Sequence, residues 1–192
     1  MSEKFDLRTV FAIIIGSFIM SIINLGIWHH NVFSPEISIP LSAIVVVVLA
    51  AMYGVIAGVM IPVIGCFVFG AVVDTSVAIA EMLALLALGL SAGFYMDKFM
   101  VHKGDFDGIR VLDFCVVQLQ SSTIVWMFLR PLCLFYLYKY DIGEALFSSF
   151  TSFAIAMGVQ VFICAPVLML LSKHIKRNLL MRGAGSNING NM

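Results

Sequence analysis

The chain has 192 residues, of which 61% are hydrophobic and 11% are charged, and its basic and acidic residues balance to a net charge of zero. A mean hydropathy of +1.06 leaves too few polar side chains to cover a soluble domain of this length, so a soluble globular protein is excluded. The uncharged stretches are of helix length and lack the ten-residue alternation of a membrane barrel. We therefore predict an all-α integral membrane protein.

The first predicted helix covers about residues 10–28, and the next apolar run, residues 41–73, is 33 residues long without a charge. One straight helix of that length would reach about 50 Å, well beyond a hydrocarbon core of about 30 Å. We therefore predict two helices that meet in a tight turn at "MYG". The predicted helices after the first lie near residues 39–52, 54–73, 77–96, 111–138 and 144–173.

Basic residues gather in three segments, and cytoplasmic loops are the ones enriched in lysine and arginine. The three segments contain Lys4 and Arg8, then Lys98, Lys103 and Arg110, then Lys173, Lys176, Arg177 and Arg182. All three fall on one side of the membrane only if an even number of helices separates them. Two helices over residues 41–73, in place of one, make the number between the first and second basic segments even. The prediction is a compact six-transmembrane-helix bundle over residues 1–175 with both termini cytoplasmic, followed by a polar, disordered cytoplasmic tail over residues 176–192.

Polar residues inside the predicted spans are candidates for a binding site. Glu81 lies about one turn inside the fourth helix, where an ionised carboxylate facing lipid costs a few kcal/mol. Gln118, Ser122 and Trp126 share one face of the fifth helix because they are four residues apart. Gln160 lies midway along the sixth helix. The alternative for these side chains is helix-helix adhesion without a ligand.

The predicted outer loop after the first helix supplies a candidate lid, formed by Trp28 and Asn31. His29, His30 and Glu36 match no compact ligand pattern, so we predict no metal site. The chain has no phosphate-binding loop, no dinucleotide fingerprint and no nucleophile elbow, so we expect no cofactor, no nucleic-acid partner and no catalytic residue.

Small residues suggest a contact with a partner helix. Ala12 and Gly16 are four residues apart on the first helix, and Gly54 and Gly58 repeat the spacing later. We assign the first pair to a partner contact, and internal packing of the bundle is the alternative for both pairs.

Four segments resemble, in order and spacing, the S components of energy-coupling-factor (ECF) vitamin transporters. They are "FDLRTVFAIIIG", "YGVIAGVMIPVIG", "KGDFDGIRVLDFCVVQLQSSTIVW" and "RPLCLFYLY", and the resemblance spans residues 5–173. The similarity is greatest to the riboflavin or hydroxymethylpyrimidine branch. The fourth helix departs from that branch, since it carries Glu81 and no tryptophan.

The resemblance implies a substrate-capturing subunit without enzymatic activity in a bacterial plasma membrane. It implies a small vitamin-like substrate, riboflavin-like or pyrimidine/pyridoxine-like, and association with a transmembrane coupling protein and two cytoplasmic ATPases. The expected pocket lies between the outer halves of helices four to six, with Trp126 as its wall, Gln118, Ser122 and Gln160 as hydrogen-bonding groups, and Glu81 as a counter-charge. A non-transporting six-helix sensor or scaffold is the alternative.

Overall fold

The structure is a computed structural model that describes residues 6–30, 41–71, 75–139 and 141–188. Within these ranges the side chains of residues 27–30, 75–78, 80–81, 137–138 and 182–188 are not described. The described part of the chain is helical, and its long helices are α1 (Leu7–His30), α2 (Ser42–Tyr53), α3 (Val55–Gly70), α4 (Thr75–Phe94), α6 (Gly108–Ile124), α7 (Arg130–Tyr138), α8 (Ile142–Val159) and α9 (Ala165–Ile188). A short helix, α5 (Met96–Phe99), and a 3-10 turn (Val101–Lys103) join α4 to α6.

Two π-helical stretches make the last four helices into two long rods. Val125–Leu129 connects α6 to α7, and Gln160–Cys164 connects α8 to α9. Three segments are long and apolar enough to cross a membrane, namely Leu7–Gly26, Gly108–Tyr136 and Ile142–Met181. Shorter apolar helices lie between the first and second of them. The all-helical, membrane-type fold class is thereby confirmed, while the count of six spans stays a prediction.

The apolar run of residues 41–73 is broken where the glycine at position 54 adopts φ 87°, a backbone conformation that other residues rarely adopt. α2 therefore ends at Tyr53 and α3 begins at Val55. This break confirms the prediction of two helices with a turn at "MYG".

α2 lies at the centre of the bundle. None of its residues is exposed, and it contacts α1, α3, α4 and the π-helical stretch Gln160–Cys164. A helix that is apolar all round is expected to be surrounded by other helices. In contrast, α1 exposes a row of large apolar side chains, including Phe11 (57% exposed) and Phe18 (68% exposed), which suits a surface in contact with lipid.

Side-chain contacts fix the relative directions of the helices. Ser17 and Ser21 of α1 donate hydrogen bonds to the carbonyl oxygens of Ile61 (3.4 Å) and Gly65 (3.0 Å), so α1 and α3 run parallel. The glycines of α3 and α4 pair in reverse order, so those two helices are antiparallel. The start of α1 and the end of α4 consequently lie at the same end of the bundle.

The loop after α4 packs on α9 at that end. The backbone N–H of Phe106 donates to Ser172 Oγ (2.9 Å), and Gly104 approaches the backbone of Lys176 so closely that a Cβ would lie 2.7 Å from its nitrogen. The described basic residues Arg8, Lys98, Lys103, Arg110, Lys173, Lys176 and Arg177 therefore lie toward the same end of the bundle, while the side of the membrane that this end faces stays a prediction.

The structure differs from the prediction at the tail. α9 continues to Ile188, so the described residues after position 175 are helical where we predicted disorder. Lysine, arginine, leucine and methionine favour helix, and no proline follows Pro166, so the helix continues past the apolar segment.

Candidate functional site

Four side chains at four-residue spacing form a polar stripe along α6 and α7. They are Gln118, Ser122, Trp126 and Arg130, and the first three are at most 1% exposed. Arg130 is half-buried at the end nearest the α7–α8 connection. The predicted shared face of Gln118, Ser122 and Trp126 is thereby confirmed as a buried face, and it extends by one further turn.

A second stripe lies on α8 and on the turn that follows it. Ser148, Ser152 and Gln160 are each at most 5% exposed, and the intervals between them are multiples of four. The sequence "FSSFTSFAIAMGVQ" thus places its polar residues on one side and its phenylalanines elsewhere, with Phe147 and Phe150 exposed. Because of this spacing, Ser148 and Ser152 face the rod formed by α6 and α7.

Hydrogen bonds join the two stripes in antiparallel register. Ser122 Oγ donates to Gln160 Oε1 (2.9 Å), and Arg130 Nη1 donates to Ser148 Oγ (3.1 Å) and Ser152 Oγ (3.0 Å). We call this set, Gln118, Ser122, Trp126 and Arg130 with Ser148, Ser152 and Gln160, the polar seam. The guanidinium carbon of Arg130 lies 5.3 Å from the centroid of the Trp126 ring, within the range of a cation–π contact.

Several polar atoms of the polar seam are buried without a hydrogen-bond partner. They are both amide atoms of Gln118, the indole nitrogen of Trp126 and the amide nitrogen of Gln160, and the hydroxyl of the adjacent Ser149 is also unpaired. In a membrane interior such atoms are costly because no bulk water satisfies them. Native structures leave few of them, and each calls for an explanation.

Each π-helical stretch contains one residue of the polar seam. Val125–Leu129 contains Trp126, and Gln160–Cys164 begins with Gln160. A π-helical turn inserts an extra residue into a helix, is rare, and is frequently found at functional sites. The two rods therefore depart from regular geometry at two of the residues with unpaired polar atoms, Trp126 and Gln160.

The structure describes only part of the predicted site. Gln118, Ser122, Trp126 and Gln160 come together. Glu81 lies in α4 and Trp28 lies near the end of α1, but their side chains are outside the described part of the molecule, and Asn31 is outside it entirely. Among the described residues, no group of three or more histidine, cysteine, aspartate or glutamate side chains is placed to hold a metal ion.

The predicted partner contact at Ala12 and Gly16 faces inward in this structure. Ala12 is 8% exposed, and a Cβ at Gly16 would lie 2.5 Å from Leu49 Cδ1 and 3.1 Å from Ile61 Cδ1. The pair packs α1 against α2 and α3, which favours the alternative of internal packing. Gly54 and Gly58 likewise approach α4.

Sequence reasoning missed Arg130, Ser148 and Ser152. Arg130 was one of two basic residues outside the three basic segments, and it interrupts the apolar run of a predicted span, where an ionisable residue is a functional candidate by default. The serines carried a weaker signal because serine is common at helix-helix contacts in membranes. Their four-residue spacing would have identified them.

The fold and the polar seam together define an all-helical membrane-type bundle with a buried polar contact between its two longest rods. No protein-family profile matches the chain, and no solved structure matches it. The chain is similar to the "UPF0397 protein" of Streptococcus pneumoniae strain Taiwan19F-14, with 29% identity over 170 residues that cover 88% of this chain and 92% of the relative. The UPF0397 proteins of serotype 4 strain ATCC BAA-334 / TIGR4 (29%) and strain CGSP14 (28%) match over the same extent.

Proposed function

We propose that the chain is the substrate-binding membrane subunit of a bacterial uptake transporter for a small water-soluble vitamin or related micronutrient, of the kind that the ECF S components represent. The observation that carries the proposal is the set of unpaired polar atoms on Gln118, Trp126 and Gln160 inside an apolar bundle. Binding sites of this kind combine apolar walls with a few convergent polar groups. The resemblance over residues 5–173 supplies the class of transporter.

The chemistry of the polar seam suits reversible binding. The carboxamide of Gln118 offers a donor and an acceptor side by side, and the indole of Trp126 adds a donor and an aromatic face. Serines and glutamines are poor acids and bases, so we propose capture and release without a covalent step. A transmembrane coupling protein and two cytoplasmic ATPases are the proposed partners.

Binding at these atoms requires movement of the two rods. Gln118 and Trp126 are shielded from solvent in this conformation, so a ligand reaches them when α6–α7 and α8–α9 separate along the polar seam. The π-helical stretches favour such a movement, because a turn with an extra residue has an alternative, regular α-helical hydrogen-bonding pattern. If the two rods never separate along the polar seam, the alternative of a non-transporting sensor or scaffold is favoured.

The test is mass spectrometry of small molecules released when the purified protein is denatured, with binding constants then measured for the compound identified. We expect stoichiometric retention of one compound and a loss of affinity of about tenfold to a hundredfold in Gln118→Ala, because a polar group of the ligand loses its partner in a desolvated site. Gln120→Ala is the matched control, since Gln120 is exposed on the same helix. Equal affinities in both variants, or no enriched compound even after incubation with a concentrated cell extract, would contradict the proposal.

The proposed orientation has a separate test. A reporter fused after Lys103 should be cytoplasmic and one inserted at Pro35 external, because lysine and arginine accumulate on the cytoplasmic side. An external signal from the Lys103 fusion would disprove six spans with cytoplasmic termini.

A further inference from the structure

The last helix extends beyond the part of the bundle that a membrane can cover. Ile142–Met181, the apolar segment that ends in α9, has 40 residues and therefore a length of about 60 Å, about twice the thickness of a hydrocarbon core. Ser172 accepts a hydrogen bond from the connection between α4 and α6, and α5 of that connection carries Lys98, which is paired with Asp113 (3.0 Å). Because charged groups avoid hydrocarbon, α9 leaves the membrane near Ser172 and continues for about 24 Å to Ile188.

The part of α9 that follows is both basic and apolar, and we call residues 173–188 the basic extension. Leu179, Leu180 and Met181 are 52%, 68% and 56% exposed. Lys176 and Arg177 are also exposed, and no acidic side chain of the described residues is paired with them. No aspartate or glutamate occurs in the sequence from position 145 to position 192. Large apolar side chains exposed outside a membrane mark a surface that binds something.

The spacing of these residues places apolar and basic side chains together. Leu180 is four residues after Lys176 and three after Arg177, so both cations border it on the surface of the helix. A complementary surface therefore has an apolar pocket for Leu180 and negative charges beside that pocket. A helix without tertiary contacts is only marginally stable in water, so binding of this kind would also stabilise the end of α9.

Charge and direction distinguish between a second copy of the chain, a lipid surface and another protein as the binding partner. A second copy would bring its own Lys176 and Arg177 against those of the first, and like charges repel. An anionic lipid surface attracts basic residues, but a helix bound to it lies in the plane of the membrane. α9 is one helix over Ala165–Ile188, and Gly104 packs on its backbone at Lys176, so the basic extension leaves the membrane along the direction of the span. These observations favour a protein.

We infer that the basic extension binds a second protein, which receives Leu180 in an apolar pocket bordered by aspartate or glutamate side chains. A helix that places apolar side chains in a groove is a recurring mode of protein recognition. The inference goes beyond the proposed function and does not depend on it, because no residue of the polar seam takes part.

Site-specific photocrosslinking in the bacterium that encodes the chain tests what the basic extension contacts. The photoreactive amino acid p-benzoylphenylalanine replaces Leu180 or, as the matched control, Leu170, which is also 68% exposed on α9 but precedes Ser172. We expect a defined protein adduct at Leu180 and lipid adducts alone at Leu170. Mass spectrometry of the adduct identifies the partner, which is then purified.

The purified partner is titrated against the full chain in nanodiscs of the zwitterionic lipid phosphatidylcholine. The variants are Lys176→Gln combined with Arg177→Gln, and Leu180→Ser. Lys139→Gln is the control, because Lys139 is an exposed cation at the opposite end of the bundle. We expect Kd to rise about twofold to thirtyfold in the double variant and about tenfold to a hundredfold in Leu180→Ser, and to stay unchanged in Lys139→Gln.

The wild-type protein tests the role of charge even if a variant fails to fold, because high salt should weaken its binding to the partner. Binding that neither salt nor the double variant weakens would overturn the inference. So would lipid adducts alone at Leu180, the same protein adduct at Leu170, or a crosslink between two copies of this chain. Retention of a compound at the polar seam is measured separately, so failure of the inference and failure of the proposed function are distinguishable.

Discussion

Two helix-helix contacts in this bundle consist of residues of opposite kinds, glycines in one and polar side chains in the other. The contact between α3 and α4 is made by Gly58, Gly89 and Gly93, which we call the glycine seam, and there the backbones approach so closely that a Cβ at Gly89 would overlap the carbonyl oxygen of Gly58. The polar seam joins the two long rods through serine, glutamine, tryptophan and arginine. The glycine seam brings backbones into direct contact, whereas the polar seam buries side-chain atoms without partners.

This difference indicates different roles for the two contacts. The glycine seam supports the bundle, whereas the polar seam is the candidate binding site. Close backbone approach stabilises membrane helices through van der Waals contact and leaves no room for a ligand. Unpaired polar atoms lower stability, and they are retained where they serve another purpose. The first four helices are therefore expected to form a rigid support against which the last two rods move.

The largest effect is expected in the glycine seam. Gly89→Ala places a methyl group against the Gly58 backbone and should lower the free energy of unfolding by about 1 to 3 kcal/mol or more, because the backbone of α3 has to shift. The measurement is thermal or denaturant unfolding in one detergent.

Gly158→Ala is the control for Gly89→Ala. A Cβ at Gly158 meets no atom within 4 Å, and alanine favours helix over glycine by up to about 1 kcal/mol, so this variant should be as stable as the parent or more so. Equal destabilisation by the two substitutions would show that the close approach of α3 and α4 is not what stabilises them.

A smaller effect is expected from the one hydrogen bond that joins Ser122 to Gln160. Ser122→Ala should lower the free energy of unfolding by about 0.6 kcal/mol and by no more than about 1.7 kcal/mol, the average and the maximum for side-chain hydrogen bonds between membrane helices. Ser121→Ala should change it much less, because Ser121 Oγ donates to Val117 O within its own helix (2.8 Å). If the two variants unfold alike, the bond between the rods contributes nothing measurable.

The smallest effect is a pH dependence at the loop that packs on α9. The pKa of His102 lies below its usual value because the ring is partly buried and Lys103 is close, although Asp97 opposes the shift. The folded state therefore prefers the neutral ring, so the contribution of His102 to stability is complete above about pH 6.5 and decreases as the pH falls through the lowered pKa.

His102→Gln should accordingly reduce the difference in melting temperature between pH 7.5 and pH 5. His174→Gln is the control, since His174 is an exposed histidine at the same end of the bundle. If the pH dependence of the melting temperature is unchanged in His102→Gln, other groups cause it.

Much of the fold could be predicted because its signals are the lengths of apolar runs and the spacing of residues along the chain. The over-long apolar run of residues 41–73 required a break, and the glycine at position 54 provided it. Four-residue spacing alone places Gln118, Ser122 and Trp126 on one face of a helix, whatever helices pack against it. Hydropathy falls after position 175 but helix propensity does not, so hydropathy alone does not predict the continuation of α9 to Ile188.

The partners of each polar side chain could not be predicted. That Ser122 meets Gln160 and that Arg130 meets Ser148 and Ser152 depends on the register between two antiparallel rods, which no single helix encodes. The inward direction of Gly16 likewise depends on where α2 and α3 pack. Pairings across helices are properties of the bundle.

The most direct test of the central claim, that the polar seam is a ligand site, is the unfolding of Gln118→Leu with and without the retained compound. Leucine has a similar volume and no polar atoms, so removing a buried, unpaired carboxamide should raise the free energy of unfolding by about 1 to 3 kcal/mol while abolishing the stabilisation that the compound gives the parent. Gln120→Leu, on the exposed face, should keep that stabilisation. A Gln118→Leu protein that is less stable than the parent, or that the compound still stabilises fully, would contradict the account.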